Sequence, residues 1–255
     1  MTDLYDGSYY SNHSIHQKNF AKEFLKNLKI APKSLYLDMG CGDGKITSDI
    51  AEEHDLTALG VDRSASMIAF ANENYHKDNI SFLQDDAEDY VKPEKFDLIT
   101  SLTMLHWVNN PQKALQNIYK SLKKNGTFYL LLSPRESELF QIYLKTLRRK
   151  KWREIGERVI GTNRKYYDEY LKILREAGFT IENAFLKDRF VLMNNLDDYK
   201  KHVRSFVQNI VLLKEDEIEE FIEDVAQEAS DFFEKDEKGR MIVKGRGLGV
   251  ICRKL

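Results

Sequence analysis

Of 255 residues only two are cysteines, Cys41 and Cys252. They lie far apart and fit no metal-ligand or redox spacing, which argues against a disulfide framework and for a reducing compartment. No metal site is expected. Proline occurs four times, and no Pro/Gly/Ser-rich linker, low-complexity tract or internal repeat divides the chain. No apolar run approaches the length of a membrane span, and the polar stretch Met1–Tyr10 lacks a secretory core. Charge of one sign is not in excess: the formal net charge is -2, so no global basic field favours nucleic acid. The expectation is one soluble cytoplasmic domain over residues 1–255, monomeric or homodimeric, without membrane association.

With 42% hydrophobic and 31% charged residues, the composition is that of a globular protein. The first half alternates strand-like and helix-like segments. Ser34–Gly40, Thr57–Asp62, Ile80–Asp85, Phe96–Leu102 and Thr127–Ser133 are short and nearly all apolar, as strands buried on both faces of a parallel sheet must be. Ala65–Tyr75 and Pro111–Lys124 read as helices, the second opening on a proline where a missing N–H costs little. A helix precedes the first strand, with Phe20, Ala21, Phe24, Leu25 and Leu28 on one face. This order predicts an α/β fold with a Rossmann-like, doubly wound, mostly parallel seven-stranded sheet. The core spans about 30–134, with closing strands within 179–193 and 246–255. Helical stretches at about 135–177 and 195–238 exceed what the sheet needs. They predict a cap over its carboxyl edge, where open α/β sheets bind ligands.

The most informative stretch is Leu37-Asp38-Met39-Gly40-Cys41-Gly42-Asp43-Gly44, at a junction of strand and helix. Glycines there let the backbone turn tightly against a ligand. A dinucleotide fingerprint counted from Gly40 puts Lys45 at its third glycine, which weakens that reading. A P-loop fails because Met39 stands at its first glycine and Ile46 replaces the magnesium-binding hydroxyl. What survives, D-x-G-x-G-x-G after a first strand, resembles the first motif of class I methyltransferases that use S-adenosylmethionine (AdoMet). Asp62 ends the second strand 20 positions after Gly42, near the ~20-residue spacing of a carboxylate that accepts ribose hydroxyls; the alternative is a cap on the next helix. The candidate cofactor contacts here are Asp38, Gly40, Cys41, Gly42, Gly44, Asp62, Arg63 and Met67.

The resemblance extends over roughly Leu35 to Ser133. It implies that Asp86 with Ala87, or Asp85 in the alternative register, accepts the adenine amino group, and that Ser101 and Leu102 face the methionine part of AdoMet. Asp97 is expected to be structural. Within the family, Leu105-His106-Trp107-Val108 is similar to a narrower group that includes trans-aconitate, juvenile hormone acid and biotin-synthesis carboxyl methyltransferases. That likeness implies a small-molecule carboxylate as acceptor, S-adenosylhomocysteine as product, and Gln17 and Trp107 as carboxylate contacts. His106 is expected to orient the substrate, because an ionised carboxylate needs no base. Gln17 shares a helical face with Ala21, Phe24 and Leu28; it either meets substrate or closes a capping box with Ser14. Trp107 is either a pocket wall or a core aromatic. Tyr9, Tyr10, Tyr143 and Trp152 are candidate cap residues.

Lys145, Arg148, Arg149, Lys150, Lys151 and Arg153 form a basic cluster, either a solvated helix face or an anion, carrier-protein or RNA surface. Besides carboxyl methylation, the sequence leaves open methylation of nitrogen, carbon or a phenol, RNA methylation, and AdoMet binding without catalysis.

Overall fold

The apolar runs of the first half form strands and the stretches between them form helices in a computed structural model. It describes residues 15–156, 164–205, 207 and 213–255, with side chains from Lys18 onward. Helix α1 (Ile15–Leu25) precedes β1 (Leu35–Met39), α2 (Lys45–Glu53), β2 (Thr57–Asp62), α3 (Ala65–Tyr75), β3 (Ile80–Gln84) and β4 (Phe96–Leu102). A 3₁₀ turn, Leu105–Trp107, leads to α4 (Pro111–Ser121) and β5 (Leu122–Leu132). There follow α5 (Glu138–Leu147), a second 3₁₀ turn at Lys150–Trp152, α6 (Arg153–Gly156) and α7 (Tyr167–Glu176). The chain closes with β6 (Thr180–Met193), α8 (Leu196–Arg204), α9 (Glu215–Phe232) and β7 (Met241–Arg253).

The strand order is β3-β2-β1-β4-β5-β7-β6. Strands β1 to β5 run parallel, and β7 runs antiparallel to both neighbours. The direction of winding reverses between β1 and β4, which opens a crevice beyond their carboxyl ends. Alternation along the strands feeds two apolar layers. Leu37, Met39, Ile99, Phe128 and Leu130 pack on one face with Leu115 and Ile118 of α4. Tyr36, Leu98, Tyr129 and Leu131 pack on the other with Phe20 of α1, Ile50 of α2 and Ile68 of α3. Both faces of the central strands are covered, and polar groups buried there are hydrogen-bonded to one another, as Thr100 is to Asp38.

Several boundaries differ from the sequence reading. Helix α4 starts as expected, with Pro111 at its first turn and the Asn110 side chain accepting from the Lys113 amide at 3.0 Å. It stops at Ser121, not Lys124, because Leu122 turns extended to pair with Phe96 of β4 and is fully buried there. Tertiary pairing outweighs the helix propensity of Lys123 and Lys124. Strand β7 begins at Met241, five residues before the expected start at 246. Only Leu248–Arg253 pairs with β5; the earlier residues pair with β6 alone and project past the carboxyl edge of the sheet.

That overhang is part of a third apolar cluster. Met193, Met241 and Val243 pack with Phe140 and Tyr143 of α5, Trp152, Tyr199 of α8, and Phe221 and Val225 of α9. This cluster forms the cap. Helix α7 does not join it: Tyr170, Leu171, Ile173 and Leu174 pack into the sheet's own layer beside α4. Within the expected helical stretch at about 195–238, α8 ends at Arg204, and Phe206 and Ile210 lie outside the described residues. Among the described residues, no helix is long and apolar enough to cross a membrane.

Candidate active site

Strand β1 ends at Met39 and the chain turns through a loop in which Gly40, Gly42 and Gly44 have φ of 84°, 56° and 79°. Residues with a Cβ rarely adopt these values. At Gly40 an added Cβ would sit 2.3 Å from Met104 Cβ, so the loop lies hard against the segment after β4. The Gly40 and Cys41 amides donate to the Val61 carbonyl at 2.7 and 3.1 Å, and the Gly42 amide donates to Asp62 Oδ2 at 2.9 Å. The loop is thereby fixed to the tip of β2. Over it lies α1, whose Lys18 pairs with the buried Asp43 at 2.7 Å.

A cavity of about 620 Å³ opens at this point, within the range of small-molecule and cofactor sites. The cavity collects most of the predicted cofactor residues. Asp38, Gly40, Cys41 and Gly42 line it from the loop; Asp62, Arg63 and Met67 from β2 and α3; Asp85, Asp86, Ala87 and Leu102 from beyond β3 and β4. His106 and Trp107 line it from the 3₁₀ turn. Two predicted contacts are not among its lining residues. Gly44 caps α2, and a Cβ there would meet Ala71 and Phe82 at 2.7 Å. Ser101 is fully buried within β4. Gln17, Tyr9 and Tyr10 lie outside the residues whose side chains are described.

Asp38 reaches the cavity wall, but both its oxygens are engaged. Thr47 donates to Oδ2 at 2.6 Å and Thr100 to Oδ1 at 2.7 Å. Burial pushes its carboxyl up to about 6, against the opposing pull of the two hydroxyls. Asp38 therefore ties β1 to α2 and β4. Asp62 keeps both oxygens on backbone amides, with Ser64 N donating to Oδ1 at 3.0 Å. The cap of α3 is instead Ser64, whose hydroxyl accepts from Met67 N at 3.2 Å. Asp86 begins a tight turn, its Oδ1 accepting from Glu88 N at 2.9 Å. Asp97 is structural, accepting from the Leu35 amide and pairing with Lys123.

The opposite half of the cavity carries residues that the sequence did not single out. Thr103, just past β4, has φ 64°, an outlier for a β-branched residue. Arg164 is buried, with its guanidinium 4.6 Å from the Trp107 ring centre and 4.5 Å from that of Phe140. Arg189 stands over Phe20 at 4.2 Å. Burial lowers the proton affinity of both guanidiniums to about 10. His106 is buried beside Trp107, ring centres 4.7 Å apart, and burial followed by the two arginines holds its imidazole neutral, well below 6.5. The Nδ1 atom of His106 and the Nε atoms of Arg164 and Arg189 are buried without a hydrogen-bond partner among the described residues. Arg189 shares its alternation with Phe185, Lys187, Val191 and Met193, so two cations fall on that face and the sequence does not tell which is buried; Arg164 lies in a stretch with no periodic cue. Tyr143 also lines the cavity, whereas Trp152 is packed inside the cap and donates its indole N–H to Asp224 at 2.6 Å.

The residues present fit AdoMet. A backbone cradle that excludes side chains faces the cavity, with acceptor-only carboxylates at Asp62, Asp85 and Asp86 suited to hydroxyl and amino donors. Among the described residues, no cluster of His, Cys, Asp or Glu is arranged to hold a metal ion.

Comparison with known proteins agrees. Residues 37–130 match a family described as a methyltransferase domain. The chain is 30% identical over 145 residues to protein 235L of Invertebrate iridescent virus 6, a candidate methyltransferase, covering 56% of this chain and 54% of that one. It is 29% identical over 201 residues to juvenile hormone acid O-methyltransferase of Bombyx mori, covering 74% of this chain and 71% of that enzyme. It thus spans about half the length of the viral relative and about seven-tenths of the silkworm one. A candidate methyltransferase from Bacillus halodurans superposes with a TM-score of 0.63 over 91% of this chain and 97% of that one, at 19% identity, a likeness of fold.

Proposed function

We propose that this chain is an AdoMet-dependent methyltransferase that transfers its methyl group to the carboxylate of a small acid, a reading supported by the match of residues 37–130 to a methyltransferase domain family. The observation that carries the reading is Arg164, a buried guanidinium on the cavity wall, stacked on Trp107 and Phe140 and beside His106. A planar fork of donors in a dry site suits a carboxylate. The silkworm relative, by its name, methylates an acid.

Bound AdoMet supplies an electrophilic methyl group on a sulfonium. The chain's contribution is placement. Asp62 is assigned to the ribose hydroxyls, Asp86 (or Asp85) to the adenine amino group, with Arg63, Met67 and Ala87 around the nucleoside. The loop from Gly40 to Gly42 and Leu102 flank the methionine part. Arg164 holds the acceptor carboxylate, Trp107 forms the wall it lies against, and Gln17 is a further proposed contact. His106, kept neutral, orients the substrate and takes no proton, because the carboxylate arrives ionised. Alignment and removal of water then favour a reaction in which opposite charges cancel.

The RNA alternative loses its main support, since much of the basic cluster is used within the cap. Arg149 pairs with Asp224 and Glu228, Lys145 with Glu228, and Lys151 with Glu220. The test is transfer of labelled methyl into a metabolite extract, followed by alkaline hydrolysis. Base-labile label on a small acid is the expected result; base-stable label, or label retained on RNA, overturns the reading.

A further inference from the structure

Most cations of the cap and the closing strands have a carboxylate partner. Arg149, Lys145, Lys187, Lys244 and Arg246 all pair. Asp188, the neighbour of Arg189 in sequence, pairs with Lys244 and Arg246 and not with Arg189. Among the described residues, Arg164 and Arg189 have no acidic partner, although both line one cavity. Among the described residues, the Nη1 of Arg164 donates to the Ser133 carbonyl at 3.4 Å, and Arg189 lies against Phe20 and the β7 backbone near Gly247. The two guanidiniums stand close enough that each depresses the proton affinity of His106.

Two unpaired cations in a shared low-dielectric site are costly unless something anionic enters. A single carboxylate compensates one of them. Asp62, Asp85 and Asp86 line the cavity from the strand tips at its other half, while Glu23 and Asp188, which also line it, are taken by Lys187 and by Lys244 and Arg246.

We propose that the acceptor carries two anionic groups, a carboxylate methylated at Arg164 and a second anion, carboxylate or phosphate, held at Arg189. This rests on the carboxyl-methylation reading and deepens it. One carboxylate oxygen forms an O–CH₃ bond as the S–CH₃ bond breaks; the electron pair stays on sulfur, and no proton moves. The monoester keeps its second anion on Arg189. A second transfer would strip the remaining negative charge from the site, so the product is the monoester.

The experiment compares straight-chain dicarboxylates and phosphonocarboxylates of graded length with monocarboxylates of matched length. The expected result is a kcat/KM advantage of about tenfold or more for dianions, the size of a charge-assisted contact. Arg189→Gln should remove that advantage, chiefly through KM, lowering kcat/KM for dianions about tenfold more than for monocarboxylates. Arg189→Lys should keep part of it. Phosphonocarboxylates performing as well as dicarboxylates would identify the second anion as either chemistry; a preference for one names it. Equal use of mono- and dianions by the unaltered protein, or equal loss for both in Arg189→Gln, overturns the second-anion proposal alone. If no acid of either kind is methylated, the carboxylate reading falls and takes this proposal with it.

Discussion

The backbone N–H of Gly42 donates to the Asp62 carboxylate at 2.9 Å, while the other oxygen of that carboxylate accepts from Ser64. One acid thus sets the bend of the glycine loop and the entry to α3. With AdoMet bound, it is assigned a third task at the ribose. Asp62→Ala should weaken AdoMet binding by ~1.5–3 kcal/mol, the range for hydrogen bonds to a charged group. Isothermal calorimetry measures this directly, and an unchanged affinity would refute the ribose assignment.

Trp107 and Arg164 should act as a unit. The stacked guanidinium loses its platform in Trp107→Ala, and the platform loses its cation in Arg164→Met. A double-mutant cycle on kcat/KM should give a coupling of ~0.5–2 kcal/mol, the range for a cation–π contact. Both single variants should impair turnover more than AdoMet affinity. Strict additivity would place Trp107 in the core, independent of the anion site.

Two buried groups give opposite pH dependences of stability. The folded-state affinity of His106 for protons is lowered, so the unfolded chain takes up a proton first as pH falls below about 6.5. Its contribution is complete above that value and is lost towards acid. Asp38 is the reverse: its carboxyl is raised from 3.8 to about 6, so the folded chain holds the proton longer and stability falls as pH rises from about 4 to about 6. Denaturation of His106→Phe and Asp38→Asn across that range, against the unaltered protein, isolates each slope. A His106 imidazole titrating near 6.5 by NMR would contradict the buried neutral state.

Arg149 joins α5 to α9 through Asp224 and Glu228. Arg149→Ala should destabilise the protein by ~1–2 kcal/mol, because Glu228, only 10% exposed, loses a charge-assisted partner. AdoMet affinity should not change, since these residues do not line the cavity. A variant as stable as the parent would mean that Lys145 alone suffices for Glu228.

The parallel core, the glycine bend and Asp62 could be read from residue order because each is a local pattern. An apolar run, a turn that admits only glycine and an acid at a strand tip occupy a few consecutive positions. The register of α4 against β5 could not, since Leu122 is recruited by Phe96 on another strand. The placement of α7 on the sheet and not in the cap was equally a matter of which apolar layer lay within reach.

What the linear order determined, then, is the sheet and the half of the cavity that faces the glycine loop. Only the tertiary structure decided which charges are spent and which are left over. Arg149 finds Glu228 at a separation of 79 residues, which turns an apparent anion surface into an internal brace. Arg164 and Arg189 meet at one cavity, and among the described residues neither has an acidic partner. Whether a charge is satisfied depends on what comes within a few ångströms of it, and chain sequence carries that distance only through the completed fold.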